Sequence, residues 1–285
     1  MIINTISDLL TYIYSITLDN NKLRFRGQAN RNWKIIPSIY RFSGFKRYQT
    51  VFFEDFLLKS KPSKPIPPLM YTTFDLEWLM LCQHYGIPTR LIDWSFDILT
   101  ALFFACYNDD EKYNDGSITI CNLSDYSIFS NYNDTISNNK SLAFINTNIV
   151  NPRMHNQFGC FMMWGHPPLR KDTTETYSLE EYQANSGNSY YHDEVIIPSS
   201  SKDFLLEELK RVYSITFDNI FVKNGYIDSN YERQFINLKE NAKLYTLFIT
   251  ESSRLTAKER EIAKSNFGSI ENMFGNCTSV EGIGI

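Results

Sequence analysis

The segment Gln83-His84-Tyr85-Gly86-Ile87-Pro88-Thr89-Arg90-Leu91-Ile92-Asp93-Trp94-Ser95 sets an imidazole, a guanidinium, a carboxylate and two aromatic rings around a Gly-x-Pro turn. An imidazole exchanges protons near neutral pH. A guanidinium offers a planar fork that matches phosphate or carboxylate. A carboxylate steadies developing positive charge. Folding alone does not require so many polar groups beside an apolar helix. A second candidate is Phe25-Arg26-Gly27-Gln28, where Arg26 ends a short strand and Gly27 lets a ligand approach the backbone. A third is Arg153 with Gln157, which share a face on a helix or point together from a turn leading into Gly159.

Each group also has a purely structural reading. Arg26 can pair with an Asp such as Asp93. His84 can sit at a helix C-terminus, where its charge suits the dipole. Asp93, placed in a short buried strand, needs a partner, and Arg26, Arg41 and Arg90 are available. The resulting Arg–Asp clamp is compatible with binding, because a supporting carboxylate can orient an arginine that grips phosphate. Trp33 and Trp94 read as core aromatics, with stacking on a base or nicotinamide as the alternative. Met162, Met163 and Trp164 read as core.

Several chemistries find no pattern here. There is no P-loop, no Gly-x-Gly-x-x-Gly pair and no Gly-x-Ser-x-Gly elbow. The five cysteines form no C-x-x-C pair and no histidines stand at ligand spacing, so no metal is expected. An odd number of cysteines in apolar segments suggests reduced, buried thiols. A net charge of −4 supplies no basic field, which makes a nucleic-acid partner unlikely. The first ten residues do not read as a signal peptide. The apolar run Ile98 to Cys106 is too short for a bilayer, so no membrane partner and a cytoplasmic location are expected.

These residues need elements to position them. Spacing predicts helices over Ile6–Ile16, Tyr48–Lys59, Phe74–His84, Asp97–Tyr107 and Tyr226–Lys239, with Ser201 or Asp203 capping another that runs to Arg211. It predicts strands over Leu23–Gly27, Arg90–Trp94, Ser117–Cys121, Phe158–Trp164 and Val195–Ile197. Pro62 to Pro68 reads as a stiff connector, residues 124–140 as a mobile insertion, and Thr256–Lys264 as a charged helix. Strands and helices mix without strict alternation, which indicates an α+β class with a mixed, curved sheet and flanking helices.

Phe25-Arg26-Gly27-Gln28, Trp33, Pro37-Ser38, Arg41, the Gln83–Ser95 segment and Asn151-Pro152-Arg153 with Gln157 and Gly159-Cys160-Phe161 together resemble the FRG-domain family. The resemblance spans about residues 20 to 240. It implies an FRG domain with an N-terminal helix over residues 1–240 and a C-terminal extension over 241–285. It also implies a bacterial or phage-type setting of defence or toxin action. A second resemblance is to the ADP-ribosyltransferase superfamily. Phe25-Arg26-Gly27 is similar to its first strand, Pro88 to Ser95 holds the place of its second, and Ala101-Leu102-Phe103-Phe104-Ala105 looks like its following helix.

That resemblance implies NAD as substrate. Arg26 would hold the diphosphate, and Gln28, His84 and Tyr85 would line the ribose. Thr89, Arg90 and Asp93 would shape the cleft floor, with Arg153 as a further binding residue. The catalytic-Glu place would fall to Gln157 or Glu194. Gln157 carries no charge, and losing such a contact costs roughly 10²–10³ in rate. The site then either binds without turnover or borrows Asp93 or Glu194. The alternatives are a non-enzymatic module that senses a nucleotide or a phage protein, and a nuclease using Asp93, Glu194 and Mg²⁺.

Overall fold

The computed structural model describes residues 1–16, 22–41, 47–64, 75–129, 142–145, 152–165, 178–181, 193–221, 229–250 and 254–265. Helix α1 (Ile6–Ser15) starts on a reciprocal cap between Thr5 and Asp8 and buries Ile6, Leu9 and Ile13. Strand β1 (Leu23–Gln28) follows, then helices α2 (Arg47–Lys59) and α3 (Asp75–His84). Helix α3 ends in a left-handed Gly86, φ 73°, with the Gly86 N–H on the Gln83 carbonyl at 2.9 Å and the Ile87 N–H on the Cys82 carbonyl at 2.9 Å. This Schellman closure needs the glycine and fixes the last helical turn, which carries Gln83 and His84.

Strand β2 (Leu91–Ser95) leads to α4 (Ile98–Cys106), capped by Asp97, whose carboxylate accepts from the Thr100 N–H at 2.8 Å. Strands β3 (Gly116–Asn122), β4 (Ser127–Phe129) and β5 (Ala143–Ile145) come next. A short helix α5 (Pro152–Asn156) and strands β6 (Gly159–Met163) and β7 (Asp193–Ile197) precede helices α6 (Lys202–Tyr213), α7 (Phe217–Ile220) and α8 (Ser229–Thr250), and 257–265 is helical.

The α+β class and the mixed sheet hold. Seven strands lie in the order β4-β5-β6-β2-β1-β3-β7, and β4–β5 is parallel while the other neighbours are antiparallel. Three local expectations are corrected. Ser201 does not cap α6 with its side chain; its hydroxyl donates to Asn4 at 2.7 Å instead. Trp33 is not core but 44% exposed. Residues 124–129, read as part of an insertion, form a 3-10 turn and β4, and 130–141 lie outside the described residues, as do Pro65, Pro67, Pro68 and Cys277. Helix α8 runs continuously through residue 240, and Ala242, Tyr245, Leu255 and Ala263 join the core packed on the sheet.

Two apolar cores divide the sheet. One gathers β2, β5 and β6 with α2, α3 and α8 through residues such as Trp78, Leu91, Phe144, Met162 and Phe235. The other gathers β1, β3 and β7 with α1, α4 and α6 through Phe25, Leu102, Ile118, Val195 and Leu205. Between β1 and β3 the pairing runs the whole length of β1, from Leu23↔Asn122 to Gln28↔Ser117. Between β1 and β2 it is confined to Phe25↔Ser95. The two halves of the sheet therefore part at β1 and β2. Helix α4 lies close on β1 and β3, since a Cβ on Gly27 would overlap the Ala101 carbonyl oxygen and one on Gly116 the Ala105 carbonyl oxygen. Gly27 thus serves close helix packing.

Polar groups in these cores are mostly matched. Lys202 donates to the carbonyls of Ala29 at 2.6 Å and Glu111 at 2.9 Å. Glu77 on α3 is an exception: it is 1% exposed, and neither carboxylate oxygen has a hydrogen-bond partner among the described residues. Burial raises its pKa to about 7. The folded state then holds a proton that the unfolded chain releases near the ordinary value of 4.5. Stability should therefore fall as pH rises from about 4.5 through about 7, then level off. The loss is on the order of 3 kcal/mol. Melting temperatures from pH 5 to 8 should show this decline in the native protein, and Glu77→Gln should flatten it.

Candidate functional site

Where β1 and β2 part, a half-open cavity of about 300 Å³ lies at the junction of the two cores. Its polar wall comes from Arg26 on β1, Gln83 and His84 at the end of α3, Asp93 and Ser95 on β2, and Gln157 in the turn after α5. Its apolar wall includes Phe104 on α4, Phe161 on β6 and Phe221 after α7. A volume of this size is at the lower end of ligand pockets, suited to a mononucleotide-sized group.

Arg26 spans the parting. Its Nη1 donates to the main-chain carbonyl of Asp93 at 2.6 Å, where a fully zipped ladder would have placed a backbone N–H. Its Nε is buried with no hydrogen-bond partner among the described residues. Burial, with a smaller opposing pull from Asp93 and a push from Arg41, lowers its pKa to about 10, so it stays a cation at neutral pH. Asp93 is the one exposed residue in a strand otherwise buried. The sequence reading made it a buried carboxylate clamped by arginine. Instead its side chain opens on the cleft, and Oδ2 accepts from Gln83 Nε2 at 3.1 Å. Among the described residues no ion pair joins the Arg26 and Asp93 side chains. Arg41 turns its Nε to the Ile36 carbonyl at 3.0 Å.

His84 lines the cavity and meets Tyr85 edge-on, with ring centroids 5.3 Å apart. Gln157 also lines it, but its Nε2 donates to the Ile220 carbonyl at 3.2 Å, which ties the turn to α7. The neighbouring Phe158 has φ 46°. A left-handed aromatic residue costs about 1 kcal/mol or more, and the turn is held by Ser95, whose hydroxyl donates to the Gln157 carbonyl at 2.9 Å. Trp94 is core, as expected, yet its Nε1 is buried with no hydrogen-bond partner among the described residues. Cys160 lines the cavity, but burial pushes its thiol to about 12, which keeps it protonated and a poor nucleophile.

The other expected site residues stand elsewhere. Gln28 is buried behind the cleft and donates to the Trp33 carbonyl at 3.2 Å. Tyr85 stacks on Phe235 at 4.2 Å, against α8. Thr89 is buried and reaches the cleft only through Gln83. Arg90 is 1% exposed and pairs with buried Glu54 at 2.8 Å, with a further bond to the Trp164 carbonyl at 2.8 Å. Glu194 lies on β7, outside the cavity lining, and pairs with Arg31 at 3.6 Å. The Arg153 side chain lies outside the described residues. Among the described residues no group of His, Cys, Asp and Glu is arranged to hold a metal, and no helix is long and apolar enough to cross a membrane.

The sequence reading gave no role to Gln83, Ser95, Phe104, Phe161 or Phe221. Gln83 had one available signal, since it precedes His84 on the helical turn that Gly86 closes. The aromatic wall had none, because its members come from separate elements.

The fold and cleft define an α+β protein with a sheet parted at its centre and a polar site in the parting. Residues 21–114 match the family model of the FRG domain, and the chain carries that domain. The match takes in Arg26, Gln83, His84 and Asp93. No curated protein and no solved structure matches the chain.

The Arg90–Glu54 pair makes a separable prediction. Arg90→Ala leaves a buried carboxylate alone and should cost about 3–5 kcal/mol in urea unfolding. The double variant Arg90→Met with Glu54→Met should recover most of that loss, because it removes both charges.

Proposed function

We propose that the cleft of this FRG-domain protein binds a phosphorylated, nucleotide-sized ligand, NAD or a close relative, and that Asp93 supplies the carboxylate for cleaving its N-glycosidic bond. One observation carries the reading: a cationic Arg26 and an exposed Asp93 line the same cavity without neutralising each other in a side-chain ion pair. Arg26 offers charge and unused N–H capacity to a phosphate. The aromatic wall offers faces to a planar ring. With a cavity of about 300 Å³, the nicotinamide–ribose half fits inside and the remainder lies at the open side.

In the proposed reaction the bond between ribose C1′ and the nicotinamide nitrogen breaks. Its electron pair leaves with nicotinamide, and the sugar develops oxocarbenium character. Asp93 stabilises that charge. Water or an acceptor nucleophile adds to C1′ and gives up a proton, for which His84, on the same cavity wall, is the candidate base. The resemblance to ADP-ribosyltransferases supports this chemistry, with Asp93 in the carboxylate role that Gln157 lacks the charge to fill. Glu194 is engaged with Arg31 outside the cleft. The same separation leaves the nuclease alternative without the shared metal site it requires.

The sensor reading is favoured by one observation, the commitment of the Gln157 amide to the Ile220 carbonyl. A single set of measurements separates the two. The protein is incubated with NAD, and released nicotinamide and NAD binding are both followed. Catalysis predicts release that falls roughly 10²–10³-fold in Asp93→Asn, binding lost in Arg26→Ala, and no change in Glu194→Gln. Binding lost in Arg26→Ala without release from the native protein identifies a sensor. Absence of both binding and release sinks the NAD reading.

A further inference from the structure

The carboxylate of Asp93 is held by a chain of hydrogen bonds whose direction can be read atom by atom. Thr89 is anchored first. Its N–H donates to Ser38 Oγ at 3.1 Å, and its carbonyl accepts from the Ile39 N–H at 3.2 Å. Its own hydroxyl oxygen accepts from the Leu91 N–H at 3.2 Å. The hydroxyl proton then goes to Gln83 Oε1 at 2.6 Å. That bond decides which end of the Gln83 amide faces Thr89. Its Nε2 consequently faces Asp93 Oδ2, at 3.1 Å.

The reversed amide would set Oε1 against a carboxylate oxygen, two acceptors facing each other, and would leave the Thr89 proton without its acceptor. The backbone turn that ends α3 fixes where Gln83 starts, and the Ser38–Thr89 contacts fix where the hydroxyl stands. Thr89 is 1% exposed, so water does not compete for it.

We propose that Gln83 is the positioning residue of this site: oriented by Thr89, it holds Asp93 through Oδ2 and leaves Oδ1 to the ligand. The proposal deepens the NAD-cleavage reading, which supplies the ligand and the reaction. The chain of bonds itself is independent of that reading. It predicts that the ligand group meeting Asp93 is a donor, such as a ribose hydroxyl, or a developing cation, because Oδ1 has no protein donor among the described residues. It also gives Thr89, reached from the sequence as part of the cleft floor, a role one step behind it.

The test uses the full chain with Thr89→Val, Thr89→Ser and Gln83→Met. The first readout needs no activity: hydrogen exchange of the Gln83 side-chain NH₂ and the carboxyl carbon resonance of Asp93. Thr89→Val should weaken the NH₂ protection roughly tenfold, as expected for loss of one hydrogen bond. Thr89→Ser should keep it within about twofold. Gln83→Met, on a half-buried position less able to disturb folding, should move the Asp93 resonance. The second readout is nicotinamide release, where Thr89→Val and Gln83→Met should lower kcat roughly tenfold with KM nearly unchanged.

Unchanged Gln83 protection in Thr89→Val, or equal loss in Thr89→Ser, overturns the proposal. So does an unmoved Asp93 resonance in Gln83→Met, which remains readable should the valine variant fail to fold. A native protein that shows the protected amide but releases no nicotinamide defeats the cleavage reading and leaves the positioning of Asp93 standing.

Discussion

The structure turns on the contact between β1 and β2. Adjacent antiparallel strands normally exchange main-chain bonds along their shared length. Here the pairing is limited to Phe25↔Ser95, and the Asp93 carbonyl takes its bond from the Arg26 side chain. A guanidinium is longer than a peptide N–H, so the strands stand apart where it intervenes. The space between them is the cleft. Removing the charge from Arg26 would therefore alter both what the cleft binds and what keeps it open.

Both halves of the sheet are secured independently of this contact. β1 is paired along its full length with β3, and Gly27 and Gly116 bring it close against α4. β2 is paired along its full length with β6, from Leu91↔Met163 to Ser95↔Gly159. The buried Arg90–Glu54 pair anchors the start of β2 to α2. Each half has its own apolar core, so the gap between them need not be closed for the fold to be stable. The unmatched donors on Arg26 Nε and Trp94 Nε1 belong to residues that line this gap. An unmatched buried donor costs on the order of 1–3 kcal/mol, a penalty that an acceptor arriving in the cleft would relieve.

Much of this was legible in the sequence because it is local. The apolar spacing of Ile6, Leu9 and Ile13, the Gly86 terminus of α3 and the alternation in Leu23–Gly27 each depend on a few neighbouring residues, and each element formed near its expected bounds. What failed was non-local. Asp93 reads as buried from its neighbours Ile92 and Trp94, and its exposure comes from the parting of strands distant in sequence. Arg90 and Glu54 are far apart along the chain, so their pairing left no trace in the motif, and Arg90 looked available to a ligand. Trp33 looks like core by type alone, but its loop faces solvent.

The register of the strands explains why one carboxylate and not the other belongs to the cleft. Arg26 stands opposite Thr119, and Thr119 stands opposite Glu194, so all three share one face of the sheet. Adjacent strands are about 4.8 Å apart, which puts the Glu194 backbone about 10 Å from that of Arg26. That distance runs away from β2. Arg31 then occupies the Glu194 carboxylate. Asp93 sits on the opposite side of β1, on the strand that parts from it, and its main chain already binds the Arg26 guanidinium. Any ligand phosphate that draws Arg26 toward itself competes with the Asp93 carbonyl for the same donors. On the proposed reading, ligand binding and the spacing of β1 from β2 would be coupled through one side chain, with the Gln83 bond holding the Asp93 carboxylate in place during that exchange.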